Sequence, residues 1–355
     1  MKTLKKISLL FVLFFLYILI LSKSYIPTTI AVKGEEVKIS DIQVIPIGEV
    51  VGIKLYTSGV LVVWTSGIQS VDGINYKPYE NTEIREGDSI ISINGNIVNN
   101  TEELVQEINK CNGNEIKIKY IRNNEEKECV ITPIKDKQNK YKIGLWVRDS
   151  AAGVGTVTFY SEDTKSFAGL GHGITDIDTG DIIQTSSGEI DNVNIVSIVK
   201  GIKEEPGKIQ GAIKQDKIIG KIYKNTEYGI FGTIKNTENI NIDYSKKMNV
   251  ATRQEIQIVE ASILSNIDGE FKEYKVEIQK TYLNNNFDNK SMLIKVTDEE
   301  LLNKTGGIIQ GMSGSPIIQN GKFCGAVTHV FVDDPSSGYA VFADKMIQEI
   351  AYAFE

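Results

Sequence analysis

From Lys142 onward the chain is a succession of short apolar or alternating runs broken by glycine and asparagine. Such runs recur at Ile195-Val196, Ile198-Val199, Ile218-Ile219, Ile256-Gln257-Ile258-Val259, Val276-Glu277-Ile278 and Leu293-Ile294-Lys295-Val296. Short strands joined by glycine or asparagine turns predict an all-β sandwich or barrel. The 31 glycines and only 7 prolines suit a strand-and-turn protein. A length of 355 residues, 41% of them hydrophobic, allows about two globular domains with ordinary cores. The net charge of −7 implies no general affinity for nucleic acid or anionic lipid. Asp344 to Phe354, with Met346, Ile347, Ile350 and Ala351, suggests a closing helix, and Leu283 to Lys290 a solvated turn.

Ahead of this region lies a different pattern. Gly59 to Val63 is a strand. Ile84 to Gly95 reads IREGDSIISING, with Asn94-Gly95 as a hairpin turn signal. Thr101 to Ile108 is a capped helix with Leu104, Val105 and Ile108 on one face. Ile116 to Tyr120 and Val130-Ile131 are further strands. Residues 44–134 thereby resemble a PDZ domain, and Asp136 to Tyr141 is a polar linker to a second domain at 142–355. A PDZ domain adds a peptide as an extra strand and holds its terminal carboxylate on loop N–H groups. The resemblance places that role on Gly52, Ile53 and Leu55. The competing reading is a module that packs only against its own chain.

Lys2, Lys5 and Lys6 precede an apolar run from Ile7 to Leu21. Positive charge before such a run predicts that the rest of the chain crosses the membrane. The run is long for a signal-peptide core and short for a spanning helix of roughly 20 residues. No Ala-Xaa-Ala site follows, and Ser22-Lys23-Ser24 substitutes poorly. Residues 1–25 are expected to be a signal-anchor, uncleaved or slowly cleaved, with the bulk of the chain extracytoplasmic.

The chemistry is suggested by Gly311-Met312-Ser313-Gly314-Ser315-Pro316. Glycines on both sides of a serine let the backbone turn tightly, expose the hydroxyl and aim N–H groups at one point, where an oxyanion forms. The plain alternative is a Gly/Ser turn between strands. A nucleophilic serine needs a base, and the chain has two histidines. His172 is wrapped in glycines on Gly169-Leu170-Gly171-His172-Gly173. His329 lies in a largely apolar run and is expected to be an ordinary strand histidine. For an acid to orient the base, Asp298, Asp176 and Asp178 are all candidates, although Asp298 ahead of Glu299-Glu300-Leu301-Leu302 is also a good helix N-cap.

Together, GLGHGITD and the block from Thr305 to Ala340 resemble the stage IV sporulation protein B family of serine peptidases. That resemblance covers about Val44 to the C-terminus. It implies a mainly β chain: an N-terminal signal-anchor helix, a PDZ domain, then a chymotrypsin-like double β-barrel. It implies a triad of His172, Asp298 and Ser313, with Ser315 the less favoured serine, and an oxyanion site at the N–H groups of Gly311 and Ser313. Met312 stands where many chymotrypsin relatives carry Asp, so the usual activating ion pair to a new N-terminus is unavailable. The implied activity is endopeptidase cleavage in sporulation signalling, directed at a membrane-bound regulator of the protease that matures a late sigma factor, and at the chain itself. The partners would be protein or peptide substrates and a PDZ ligand in cis or trans. The alternative is an anchored PDZ scaffold with an inactive peptidase-like domain. No cofactor is expected. The scattered Cys111, Cys129 and Cys324 have no metal-ligand spacing, and only a Cys111–Cys129 bond is left open.

Overall fold

The computed structural model describes residues 28–32, 35–284 and 289–351. The signal-anchor expected at residues 1–25 lies outside them. Among the described residues, no helix is long and apolar enough to cross a membrane.

A single strand, β1 (Gln43–Thr65), organises two of the three units. Its Val/Ile-rich sequence is buried on both faces over much of its length. Near its C-terminal end, β1 pairs with β2 (Ser89–Ile93), which continues to β3 (Ile116–Arg122) and β4 (Glu125–Ile131). The helix α1 (Thr101–Lys110) covers this sheet. Asn100 caps α1 by accepting from the Glu103 N–H at 2.9 Å, and Leu104 and Ile108 face the core. Val105, expected beside them, is instead 48% exposed. Asn94 and Gly95 both take positive φ, 50° and 85°, which is what a two-residue hairpin turn needs. Asp88 of the Gly-Asp step is fully buried and bound by two Arg122 nitrogens at 2.7 Å each.

The rest of β1 builds a barrel. It pairs on one side with β5 (Leu145–Ser161) and on the other with β7 (Thr185–Val199). The ring closes through β6 (Ser166–Gly169), β9 (Gly229–Ile234) and β8 (Lys208–Thr226), in the order β1-β5-β6-β9-β8-β7. Its core holds Ile45, Val51, Leu55, Val157, Phe167 and Ile190. Residues 43–57, expected in the PDZ domain, are therefore a wall of this first barrel. The hydrophobic periodicity shows a strand but cannot show which sheet it joins.

A second closed barrel runs in the order β10 (Glu260–Ser265), β11 (Lys272–Thr281), β12 (Met292–Val296), β15 (Ser337–Phe342), β14 (Lys322–Val330), β13 (Pro316–Gln319). The helix α2 (Glu299–Thr305) links β12 towards β13, and α3 (Ala343–Ala351) follows β15. The closing helix thus forms where the apolar spacing predicts. Met346, Ile347 and Ile350 pack with Phe159 and Phe231 of the first barrel and Phe323 of the second. All three cysteines are free thiols.

One buried ion pair fixes the start of α3. Arg253 Nε donates to Asp344 Oδ2 at 2.8 Å, with both side chains almost fully buried. Removing one partner strands a charge in a medium that solvates it poorly. Arg253→Met is expected to cost about 3–5 kcal/mol, read by denaturant unfolding. A loss within about 0.5 kcal/mol, the usual range for surface substitutions, would contradict the pairing.

Candidate active site and peptide groove

The two barrels meet at a cleft of about 670 Å³, and Ser313, His172 and His329 all line it. Ser313 lies on the turn between α2 and β13. Gly311 and Gly314 in that turn have φ of 104° and 99°, a region that favours glycine. A Cβ on Gly314 would also stand 2.1 Å from the Thr156 carbonyl oxygen. Thr156 of β5 holds the loop from the first barrel. Its N–H donates to the Ser313 carbonyl at 3.0 Å and its hydroxyl to the Gly311 carbonyl at 2.7 Å. With those carbonyls drawn off, the N–H groups of Gly311 and Ser313 donate to no acceptor among the described residues. They are the pair an oxyanion requires.

Ser315 is fully buried and not on the cleft, whereas Ser313 is half-buried and on it. Met312 is also fully buried, in the core of the second barrel. Ser313 Oγ donates to the Thr328 carbonyl at 2.7 Å. Attack on a carbonyl needs this hydroxyl to turn towards a base.

His172, on the same cleft though not hydrogen-bonded to Ser313 among the described residues, is the candidate for that base. Its Nδ1 lies 2.9 Å from the Gly173 carbonyl. A carbonyl only accepts, so Nδ1 carries the proton and Nε2 is left with the lone pair. Burial pushes the His172 pKa below its ordinary 6.5, against a smaller opposite pull from the Gly173 hydrogen bond. The imidazole is therefore neutral, and able to accept a proton, at neutral pH. Protonation disables the base, so activity is lost as pH falls through a value below 6.5. A pH–rate profile for kcat/KM is expected to place its acid limb there. A midpoint above 7 would contradict the half-buried, neutral base.

The acid differs from the expected triad. Asp298 is the N-cap of α2: it accepts from the Leu301 N–H at 3.0 Å and the Lys275 N–H at 3.2 Å. It is not among the residues lining the cleft, and no hydrogen bond joins it to His172 among the described residues. The capping geometry has claimed both its oxygens. Asp176 and Asp178 are engaged too, by Arg148 of β5: Asp176 through an ion pair in which only the carboxylate is buried, Asp178 at 2.6 Å. The group that orients His172 here is the Gly173 carbonyl. Asn caps helices as well as Asp does. Asp298→Asn is therefore expected to retain kcat within a few-fold, whereas an orienting aspartate would lose about 10⁴-fold on the same change.

His329 is a site residue that its sequence context did not reveal. Its ring centroid lies 4.9 Å from that of His172. It follows Thr328 on β14, so the strand that binds Ser313 Oγ also delivers a second imidazole to the cleft. The signal was its position near the end of an apolar strand, which also describes a packed histidine. Thr156 was likewise hidden, as a strand threonine far from Ser313 in sequence.

Gly52, Ile53 and Leu55 are not a peptide-binding loop. Gly52 pairs with both Val154 and Asp191, Ile53 with Gly153 and Ile190, and Leu55 with Ala151 and Gly188. Both backbone edges are occupied, so no strand can be added, and Ile53 and Leu55 point into the barrel core. The groove with the right walls lies elsewhere. It is about 600 Å³, between Thr101, Leu104, Val105 and Ile108 of α1 and residues 141–147. Gly144 takes φ 81° and its carbonyl accepts from the Ser66 N–H at 2.9 Å. Gly144 thus faces β1, and the next residue, Leu145, directs its N–H and carbonyl away from β1. Ile143-Gly144-Leu145 and Val51-Gly52-Ile53 have the same apolar-Gly-apolar form, and only the pairing tells them apart.

Residues 139–347, over half of the chain, match the SpoIVB peptidase S55 family, and residues 54–132 match the PDZ domain family. The chain belongs to the SpoIVB peptidase S55 family. It is a serine peptidase that carries a PDZ domain. Three of the solved structures that it resembles are as follows. One is the PDZ domain of the SdrC-like protein Lmo2051 from Listeria monocytogenes, at 24% identity over 25% of this chain and 87% of that one, with a TM-score of 0.21. The second is the Rv3671c protease of M. tuberculosis in its active form, at 13% identity over 57% and 74%, with a TM-score of 0.33. The third is an inactive serine-to-alanine form of Rv3671c, at 12% identity over 57% and 83%, with a TM-score of 0.30.

Proposed function

We propose that this peptidase acts in sporulation signalling. It is an endopeptidase in which Ser313 attacks a peptide carbonyl, His172 takes the hydroxyl proton and later gives it to the leaving amine, and the Gly311 and Ser313 N–H groups hold the oxyanion. The observation that supports this most is the shared cleft, with an open pair of N–H groups beside a serine and a half-buried neutral histidine. The target is a membrane-bound regulator of the protease that matures a late sporulation sigma factor. The site of action is the space between the two membranes around a forespore, with residues 1–25 as the anchor. Family membership and the basic-then-apolar N-terminus support this assignment. Self-cleavage near residues 25–45 releases the enzyme.

The PDZ groove docks an extended peptide, from a partner tail or the chain's own N-terminal region, and so controls cleavage. Strand β5 supports such coupling. It walls the groove at Leu145–Val147, ties down the loop after His172 through Arg148, lines the cleft at Ala151–Val154 and holds the oxyanion loop through Thr156.

The test is to express full-length protein and its Ser313→Ala form in sporulating cells and follow both the regulator and the N-terminus by mass spectrometry. Loss of both cleavages in the Ser313→Ala form is expected. Regulator cleavage that persists without Ser313 would overturn the assignment. An intact N-terminus in the active form would overturn self-release.

A further inference from the structure

Two walls flank the oxyanion loop, and neither carries a charge. One is Ile308, Ile309 and Gln310, immediately before Gly311. It is held rigidly: the Ile308 N–H donates to the Pro335 carbonyl and the Gln310 N–H to the Gly207 carbonyl, both at 2.8 Å. The other is Val330 and Val332, at and just beyond the end of β14, with Pro206 also on the cleft. The floor is closed, since a Cβ on Gly338 would meet the Ile308 Cδ1 at 2.8 Å.

The path of a substrate follows from strand pairing. β13 pairs with β14 only as far as Ala326, and across residues 328–330 the sole strand pairing is Val330 with Gly338 of β15, so the β13 side of this segment has no strand partner. An extended peptide can add there, with its N–H groups on the β14 carbonyls. With its scissile carbonyl over Ser313 and the oxygen between the Gly311 and Ser313 N–H groups, the residue supplying that carbonyl is held between β14 and the oxyanion loop. Its side chain then enters the gap between Ile308–Gln310 and Val330–Val332. Among the described residues the one carboxylate on the cleft, Glu227, belongs to the other side, where a Cβ on Gly173 would meet the neighbouring Thr226 carbonyl.

We infer that this gap is the specificity pocket for the residue before the scissile bond and that it selects an uncharged aliphatic side chain, with Ile309, Val330 and Val332 as the determinants. A Lys, Arg, Asp or Glu there would lose water and find no counter-charge. The inference rests on the Ser313 peptidase reading.

The test uses full-length protein and a series of tripeptidyl diphenyl phosphonates that differ only at the residue carrying phosphorus: Leu, Val, Lys or Glu. The second-order rate of Ser313 labelling is measured for each. The Leu and Val probes are expected to label at least about tenfold faster than the Lys and Glu probes. Equal or faster labelling by Lys or Glu would overturn the pocket while leaving the nucleophile intact. Absence of labelling by every probe would instead overturn the peptidase reading, and the pocket with it. Val332→Asp provides a second measurement, since Val332 is 52% exposed and the change leaves the core untouched. It is expected to raise the Lys-to-Leu rate ratio about tenfold. An unchanged ratio would remove Val332 from the pocket.

Discussion

Ser313→Ala is expected to lower peptide hydrolysis by between about 10⁴- and 10⁶-fold, with the fold intact. The size follows from what the hydroxyl does. In the proposed mechanism it forms the covalent bond to the substrate carbonyl, and no other hydroxyl on the loop lines the cleft. Ser315, two residues on, is fully buried. Its N–H donates to the Met312 carbonyl, so its backbone closes the turn. Ser315→Ala removes a buried hydroxyl that has no hydrogen-bond partner among the described residues, so activity should persist. Rates for the two variants on one peptide substrate separate the roles. Loss with Ser315→Ala and retention with Ser313→Ala would reverse the assignment.

His172→Ala is expected to be nearly as damaging. In the proposed mechanism this imidazole takes the Ser313 proton on the Nε2 lone pair that the Gly173 contact leaves free. Without it the hydroxyl stays bonded to the Thr328 carbonyl, which accepts no proton. Residues that act as one unit are not additive, so the double variant with Ser313→Ala should be no slower than Ser313→Ala alone. The residual rate reports the oxyanion loop and binding. His329 offers the instructive comparison. Its ring is beside His172, but its strand brings it there behind Thr328. If His329→Ala abolished turnover while His172→Ala did not, the base would be the wrong histidine.

Much of this architecture is visible in the amino-acid sequence because it is set locally. The short alternating runs become barrel strands, except residues 256–259, which are irregular chain ahead of β10 with Ile258 and Val259 exposed. The Asn94-Gly95 turn closes its hairpin, and the glycines around Ser313 bend the loop as their freedom permits. What depends on partners distant in the chain is not visible. Val51-Gly52-Ile53 and Ile143-Gly144-Leu145 have the same form, yet β1 has strands on both sides at the first, while the second borders α1. Asp298 fits a cap and a catalytic acid equally well on paper, and the nearby Leu301 and Lys275 N–H groups make it a cap. Thr156 joins the oxyanion loop only because β5, a wall of the first barrel, lies against that loop of the second.

Met312 gains a meaning from its surroundings. It is buried in the second barrel, so the loop is set by Thr156 and its glycines and not by an ion pair to a newly cut N-terminus. In the proposed mechanism, control falls instead to the PDZ groove, to β5 and to release from the N-terminal segment.

The central claim is that His172 activates Ser313 within the cleft. Its most direct test is to treat the full-length protein with a small fluorophosphonate and map the adduct by mass spectrometry, in wild type and in His172→Ala. A single adduct on Ser313 is predicted in wild type, with none formed on the same timescale without His172. An adduct on Ser315, or equal labelling of Ser313 in His172→Ala, would contradict it.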